Sequence, residues 1–105
     1  MAIEQTQTEE HTETDEQALV LRSQSKGFGR IAEALGLAKA NDANEAFNRA
    51  LRRHPPEEQV TIRAEENSRL DRLARAVSAD QTRTKAEVDE RLRAIERLRR
   101  RLIAD

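Results

Sequence analysis

The sequence has no cysteine, no tryptophan and no tyrosine. Without cysteine, neither disulfides nor thiolate metal ligands can staple a small fold. Phe28 and Phe47 are the only aromatic side chains, so any core must be built from alanine and branched aliphatic groups around two rings. In 105 residues that leaves little apolar surface to bury, and small domains are marginal for this reason alone. Partner chains or a polyanion are therefore expected to complete the stability. The N-terminal stretch is acidic and lacks the apolar segment of a secretory leader. No run approaches the roughly 18 apolar residues of a membrane span. The chain is expected to be cytoplasmic, with no membrane association. Glycine-rich phosphate loops and metal-ligand spacings are missing too. The two histidines, His11 and His54, stand far apart in the sequence. A non-enzymatic protein with neither cofactor nor metal is expected.

What is present is charge, and it is unevenly divided. Residues 1–21 carry six acids (Glu4, Glu9, Glu10, Glu13, Asp15, Glu16) and no lysine or arginine. The remaining residues hold 19 basic and 14 acidic side chains, and residues 22–54 hold seven basic and three acidic ones. An acidic tail thus precedes a mildly basic body, which suits a polyanionic partner.

Residues 1–14 have no apolar period, cannot repay the entropy of ordering, and are expected to form a disordered acidic arm. Helical spacing then begins. Asp15 and Glu16 suit a helix N-terminus, and Ala18 to Leu21 form the first apolar cluster of a short helix over 15–24. Gly27 is expected to permit the following turn. Phe28, Ile31, Ala32 and Leu35 fall on one face of a second helix, with Gly36 at the left-handed position that ends helices. A third helix spans 41–53, capped by Asn41 or Asp42. Its apolar stripe is Ala43, Ala46, Phe47, Ala50 and Leu51, and its opposite face carries Asn41, Glu45, Asn48 and Arg52. Pro55 and Pro56 end it, marking a joint between two modules.

After the joint, two readings compete. Pro56-Glu57-Glu58 opens a helix well, and Leu70, Leu73, Ala74 and Val77 have helical spacing. Gln59-Val60-Thr61-Ile62-Arg63, however, alternates as a strand does. Further on, Thr84 and Glu87 form a capping box for a helix over 85–103, along which Val88, Leu92, Ile95 and Leu98 line one side. The stripe Leu70, Leu73, Val77, Val88, Leu92, Ile95, Leu98 is more apolar surface than a two-helix hairpin can hide. It is expected to pack between chains or on the trihelical head, and a homo-oligomer is expected to form.

The fold class expected is all-α: a disordered acidic arm (1–14), a trihelical helix-turn-helix domain (15–54) and a helical hairpin (55–105) that serves oligomerisation. In the head, Ala32 allows close helix approach, Gly36 allows the turn, and Leu37 fills the angle between the helices. The third helix would lie in the major groove of double-stranded DNA. Asparagine pairs bidentately with adenine, and arginine with guanine or phosphate. The DNA-binding residues expected are Lys26, Arg30 and Lys39 for phosphates, with Asn41, Asn44, Asn48, Arg49 and Arg52 along the third helix.

Three motifs carry a resemblance. They are Ala18-Leu19-Val20-Leu21-Arg22-Ser23-Gln24, then Ile31-Ala32-Glu33-Ala34-Leu35-Gly36, then Ala43-Asn44-Glu45-Ala46-Phe47-Asn48-Arg49-Ala50-Leu51. Together they resemble the small helix-turn-helix DNA-binding proteins of high-GC actinobacteria and their phages, small terminase subunits among them. Arg69-Leu70-Asp71-Arg72-Leu73, with Val88-Asp89 and Leu92 to Arg97, is similar to the hairpin that follows such heads. The resemblance implies recognition of phage DNA and its delivery to a large, ATP-driven terminase subunit. Lacking a phosphate-binding loop, this chain could supply only the recognition step. Two alternatives stand beside it. One is a ribbon-helix-helix repressor reading DNA through residues 59–63. The other is a helical protein–protein adaptor without DNA binding.

Overall fold

In a computed structural model, the backbone is described for residues 2–103 and the side chains for residues 11–103. The regular elements among the described residues are five helices: α1 (Ala2–Ser23), α2 (Phe28–Leu35), α3 (Ala40–Arg53), α4 (Pro56–Ala79) and α5 (Lys85–Ile103). The chain divides into two compact units, residues 1–55 and 56–105.

In the first unit α3 packs against both α1 and α2. The α1–α3 contact is built on small side chains: Ala18, Ala43, Ala46 and Ala50 are all buried. Alanine minimises the distance between helix axes, which compensates for the shortage of large apolar groups. The two phenylalanines meet with ring centroids 5.8 Å apart and tilted by 58°, within the range favoured by aromatic pairs. Ile31, Ala32 and Leu51 complete the core. A charged group joins it: Arg22 is buried with its guanidinium 4.0 Å from the Phe28 ring centroid. It donates from Nη1 to the Lys26 carbonyl at 3.0 Å, so the charge is held by a ring face and a carbonyl dipole.

Helix α1 starts much earlier than the apolar period suggests. Residues 11–14 of the expected disordered arm lie within it, Thr12 and Thr14 half-buried. Over these residues that expectation is corrected. The remainder of it concerns side chains outside the described residues. The reason is a polar anchor one residue further on, the buried Asp15 carboxylate, which hydrophobic periodicity does not register.

Both α1 and α2 end in the same 6→1 hydrogen-bonded turn. The Lys26 amide donates to the Leu21 carbonyl at 3.2 Å, and the Leu37 amide donates to Ala32 at 2.8 Å. The left-handed residue of the second turn is Gly36, at φ 69°. In the first it is Ser25, at φ 67°, while Gly27 takes extended backbone at φ −70° as the N-cap of α2. The expectation that Gly27 makes the turn is corrected: the chain reverses two residues earlier, on a serine. The N-terminal cap of α3 also differs. Lys39 occupies it without a side-chain hydrogen bond, so neither Asn41 nor Asp42 caps this helix. Leu37 is half-buried behind Gly36.

The second unit is an antiparallel hairpin of α4 and α5. Pro56 is the first residue of α4, with Glu57 and Glu58 in its first turn. Residues 59–63 are therefore helical, and the strand required by the ribbon-helix-helix alternative is absent from the described residues. Val60 stands 69% exposed. Ile62 is half-buried, and Arg63 donates to the Leu102 carbonyl at 2.9 Å. The apparent alternation was one exposed valine inside a helical pattern.

The hairpin core is Leu70, Val77 and Ile95, with Ala74, Val88, Leu92 and Leu98 against it and Leu102 buried. Six members of the expected oligomerisation stripe thus pack inside the chain. For Leu70, Val77 and Ile95, which are buried, this corrects the placement at an interface, whereas Val88, Leu92 and Leu98 pack against them half-buried. Leu73 alone among the seven is exposed, at 46%. The connecting loop is pinned at both ends. Thr84 Oγ1 accepts from the Glu87 amide at 3.1 Å and Glu87 Oε1 lies 3.1 Å from Thr84 Oγ1, realising the capping box. Asp80 Oδ1 accepts from the Thr82 amide at 2.9 Å and its hydroxyl at 2.5 Å, and Oδ2 accepts from Arg83 at 3.0 Å.

These bonds hold the Asp80 carboxyl below its ordinary pKa, the Thr82 hydroxyl contributing most and the Thr82 amide next. A depressed acid stabilises the fold fully above its unfolded pKa of about 3.9 and progressively less as pH falls through the lower, folded value. The melting-temperature difference between wild type and Asp80→Asn should therefore be constant near neutrality and shrink below about pH 4. A difference that is flat down to pH 2 would contradict this role for the loop.

The two left-handed turns make opposite demands. A Cβ at Gly36 meets no atom within 4 Å, so only backbone strain opposes a side chain there. Gly36→Val should cost about 1–3 kcal/mol. Ser25→Gly should gain up to about 1 kcal/mol, by relieving the left-handed conformation of a residue with a Cβ. Urea denaturation of both variants checks the pair, and changes of the same sign would refute the turn assignment.

Candidate nucleic-acid interface

Half of α3 is covered. Ala43, Asn44, Ala46, Phe47, Asn48, Ala50 and Leu51 are all buried. The exposed arc is Asn41, Glu45, Arg49, Arg52 and Arg53. Asn44 and Asn48 therefore cannot touch a DNA base, and their expected role is corrected. The Asn48 amide donates to the Asn44 carbonyl at 3.0 Å. The Oδ1 atoms of both have no hydrogen-bond partner among the described residues. By helical spacing Asn48 sits at the margin of the polar arc. Packing on two sides of α3 decided that this margin is inside.

The C-terminal half of the arc is organised by α1. Asp15 is 1% exposed, yet it is ionically satisfied. Arg49 grips it with two parallel bonds, Nε to Oδ2 and Nη2 to Oδ1, both 3.0 Å. Arg53 adds a third, Nη1 to Oδ2 at 2.9 Å. Residues 49 and 53 are one helical turn apart, so both forks project toward the same point on α1. The bidentate geometry is the strong form of this contact. The hydrogen bond to Asp15 holds the Arg49 guanidinium above its ordinary pKa against the opposing effect of burial, and the charges of Asp15, Glu45 and Asp42 add to this. Beyond them, His54 Nε2 lies 3.0 Å from Glu16 Oε2. Arg49 is thus a structural ligand first, with 45% of its side chain still exposed. Asp15, Arg22 and Arg53 are the residues that sequence reasoning did not single out. The i, i+4 arginine pair was visible, but which acid it meets was not.

The other expected cations are placed differently. Lys26 and Arg30 are exposed near the start of α2. They line a shallow depression of about 390 Å³ with Leu21, Ile31, Glu33 and Ala34. Lys39 is exposed where α3 begins. Among the described residues no carboxylate pairs with Lys26, Arg30 or Lys39. Asn41 donates to Glu45 Oε1 at 3.2 Å across one turn of the exposed arc, and Arg52 is exposed on the same side. The surface therefore contains lysines and arginines able to meet phosphates, and two side chains, Asn41 and Arg52, able to meet base edges. Asp42 and Glu45 interrupt it.

No group of three or more potential metal ligands occurs among the described residues, and no helix of the described residues is long and apolar enough to cross a membrane. Comparison of the chain with known protein families, with curated proteins and with solved structures gives no match.

The clamp predicts an asymmetry. Asp15→Ala releases two arginines that already reach water, at a cost of about 1–3 kcal/mol for the lost charged hydrogen bonds. Arg49→Ala combined with Arg53→Ala strands a buried carboxylate, at a cost of about 3–5 kcal/mol. Chemical denaturation should rank the double arginine variant as the less stable, and the reverse order would show that Asp15 is not desolvated.

Proposed function

We propose that the first unit binds double-stranded DNA through α2, the turn at Gly36 and α3, with Lys26, Arg30 and Lys39 meeting phosphates and Asn41 and Arg52 meeting bases. The observation that carries this reading is the division of labour among the head's cations. Arg22, Arg49 and Arg53 are engaged inside the unit, whereas Lys26, Arg30 and Lys39 are exposed and meet no carboxylate among the described residues. Unpaired surface cations beside the two turns match the contacts that position a helix-turn-helix on the phosphate backbone. The acidic interruptions at Asp42 and Glu45 act against non-specific binding and leave discrimination to the bases opposite Asn41 and Arg52. The reading stops at DNA binding and assigns no large terminase subunit as partner.

Fluorescence anisotropy with mixed-sequence duplexes tests this directly. Binding should weaken linearly in log–log form as salt rises, and replacing Lys26, Arg30 and Lys39 together by alanine should lower the slope by about 2–3. On a selected target, Asn41→Ala should cost about 1–3 kcal/mol at one base pair and leave others unchanged. An absence of binding at about 50 mM salt, or a slope unaffected by the triple replacement, overturns the proposal.

A further inference from the structure

Helix α4 has a flank that its own hairpin leaves uncovered. Ile62, Glu65, Arg69 and Arg72 follow one another in steps of three and four, and Leu73 and Ala76 lie four residues beyond Arg69 and Arg72, which brings all six onto one side of a helix. Leu73 is 46% exposed, Glu65, Arg72 and Ala76 are exposed, and Ile62 is half-buried. Arg69 is held by its neighbour Glu66 at 2.6 Å. Glu65 and Arg72 are different: among the described residues neither has an ionic partner. Several other charges of the hairpin do, including Asp80, Arg83, Glu90, Arg93 and Arg99.

The order of charges along this flank is acid before base, with an apolar residue beside each. Such a pattern is complementary to itself when reversed. A two-fold axis beside Asn67 and Ser68 sets Ile62 against Leu73 of a second copy. It brings Glu65 within side-chain reach of that copy's Arg72, since two residues of offset amount to about 3 Å along a helix. The same contacts recur on the other side of the axis, as an isologous interface requires. A parallel arrangement would instead set Glu65 against Glu65 and Arg72 against Arg72. The thin core of the unit adds a reason: three buried residues, Leu70, Val77 and Ile95, form its main cluster, and modules this small commonly need association.

We propose that α4 pairs antiparallel with α4 of a second copy of this chain, through reciprocal Glu65–Arg72 ion pairs flanked at each end of the interface by an Ile62–Leu73 contact. The pairing is independent of the DNA-binding reading and joins two heads through their hairpins.

Sedimentation equilibrium of the full chain tests it, with circular dichroism confirming that each variant remains folded. Wild type should dimerise. Leu73→Arg, at an exposed position, should keep its helix content and weaken the dimer at least tenfold. Glu65→Arg and Arg72→Glu should each weaken self-association about tenfold, since each swap turns two attractive pairs into repulsive ones. Mixed in equal amounts, these two charge variants should recover a heterodimer, because every cross-pair is then opposite in charge. The double variant Glu65→Arg/Arg72→Glu should dimerise with itself as wild type does. A wild-type monomer at about 100 μM, a dimer indifferent to Leu73→Arg, or charge variants that fail to combine on mixing would each overturn the proposal. DNA binding measured on the same variants separates this interface from the head: loss of dimer with the per-site salt slope intact leaves the DNA reading standing.

Discussion

A buried carboxylate held by two arginines organises the first unit. Asp15 sits on α1 with three charge-assisted bonds from Arg49 and Arg53 of α3. Removing an acid from water is expensive, and the cost is offset only when geometry is good and the counter-charges are close. Here both conditions hold because the arginines are one turn apart. Their outer atoms stay wet, at 45% and 41% side-chain exposure, so the desolvation falls on one ion rather than three. The clamp fixes α1 against α3 at one register, and the alanine seam at Ala18, Ala46 and Ala50 closes beside it. Without large hydrophobic groups, directional bonds of this kind supply a specificity that a leucine-poor seam lacks.

The same economy recurs elsewhere. Arg22 serves as a core residue by lying on Phe28 and capping the Lys26 carbonyl. In the hairpin, Glu66 is buried with Arg69 beside it, and Arg99 bridges to Asn67 and Asp71 of the facing helix. A chain that is 37% charged has used part of that charge as structure. What is left over has a different meaning. The cations at Lys26, Arg30 and Lys39 and the opposite pair at Glu65 and Arg72 are among the charges the fold does not consume within the described residues, and both functional readings rest on them.

These readings complement each other physically. Two-fold pairing through the hairpins would present two heads to a DNA duplex whose own pseudo-symmetry matches a dimer. Residues 22–54 of each copy hold seven basic and three acidic side chains, and two copies would double the number of phosphates that such a surface could meet. Binding through two linked modules gains from effective concentration without any new contact.

Sequence alone determined the helical class, the positions of three of the five helices (α2, α3 and α5), the glycine-terminated turn after Leu35, the Thr84–Glu87 capping box and the apolar stripe of the hairpin. All of these follow from local rules: spacing of apolar residues, left-handed backbone at glycine, reciprocal side-chain caps. Tertiary structure decided the rest. It buried Asn44 and Asn48, because α3 is covered on two sides and helical spacing does not say how wide a covered arc will be. It converted Arg49 from a DNA ligand into a structural one, because the acid it meets lies 34 residues away in sequence. It placed the first reversal at Ser25 rather than Gly27, because the geometry of the closing hydrogen bonds outweighed the modest strain on a serine. It turned residues 59–63 into helix, because the helix opened at Pro56 continues through them with Val60 in water. Local sequence specifies which elements form, whereas long-range pairing of charges and the extent of coverage set which side chains remain available to a partner.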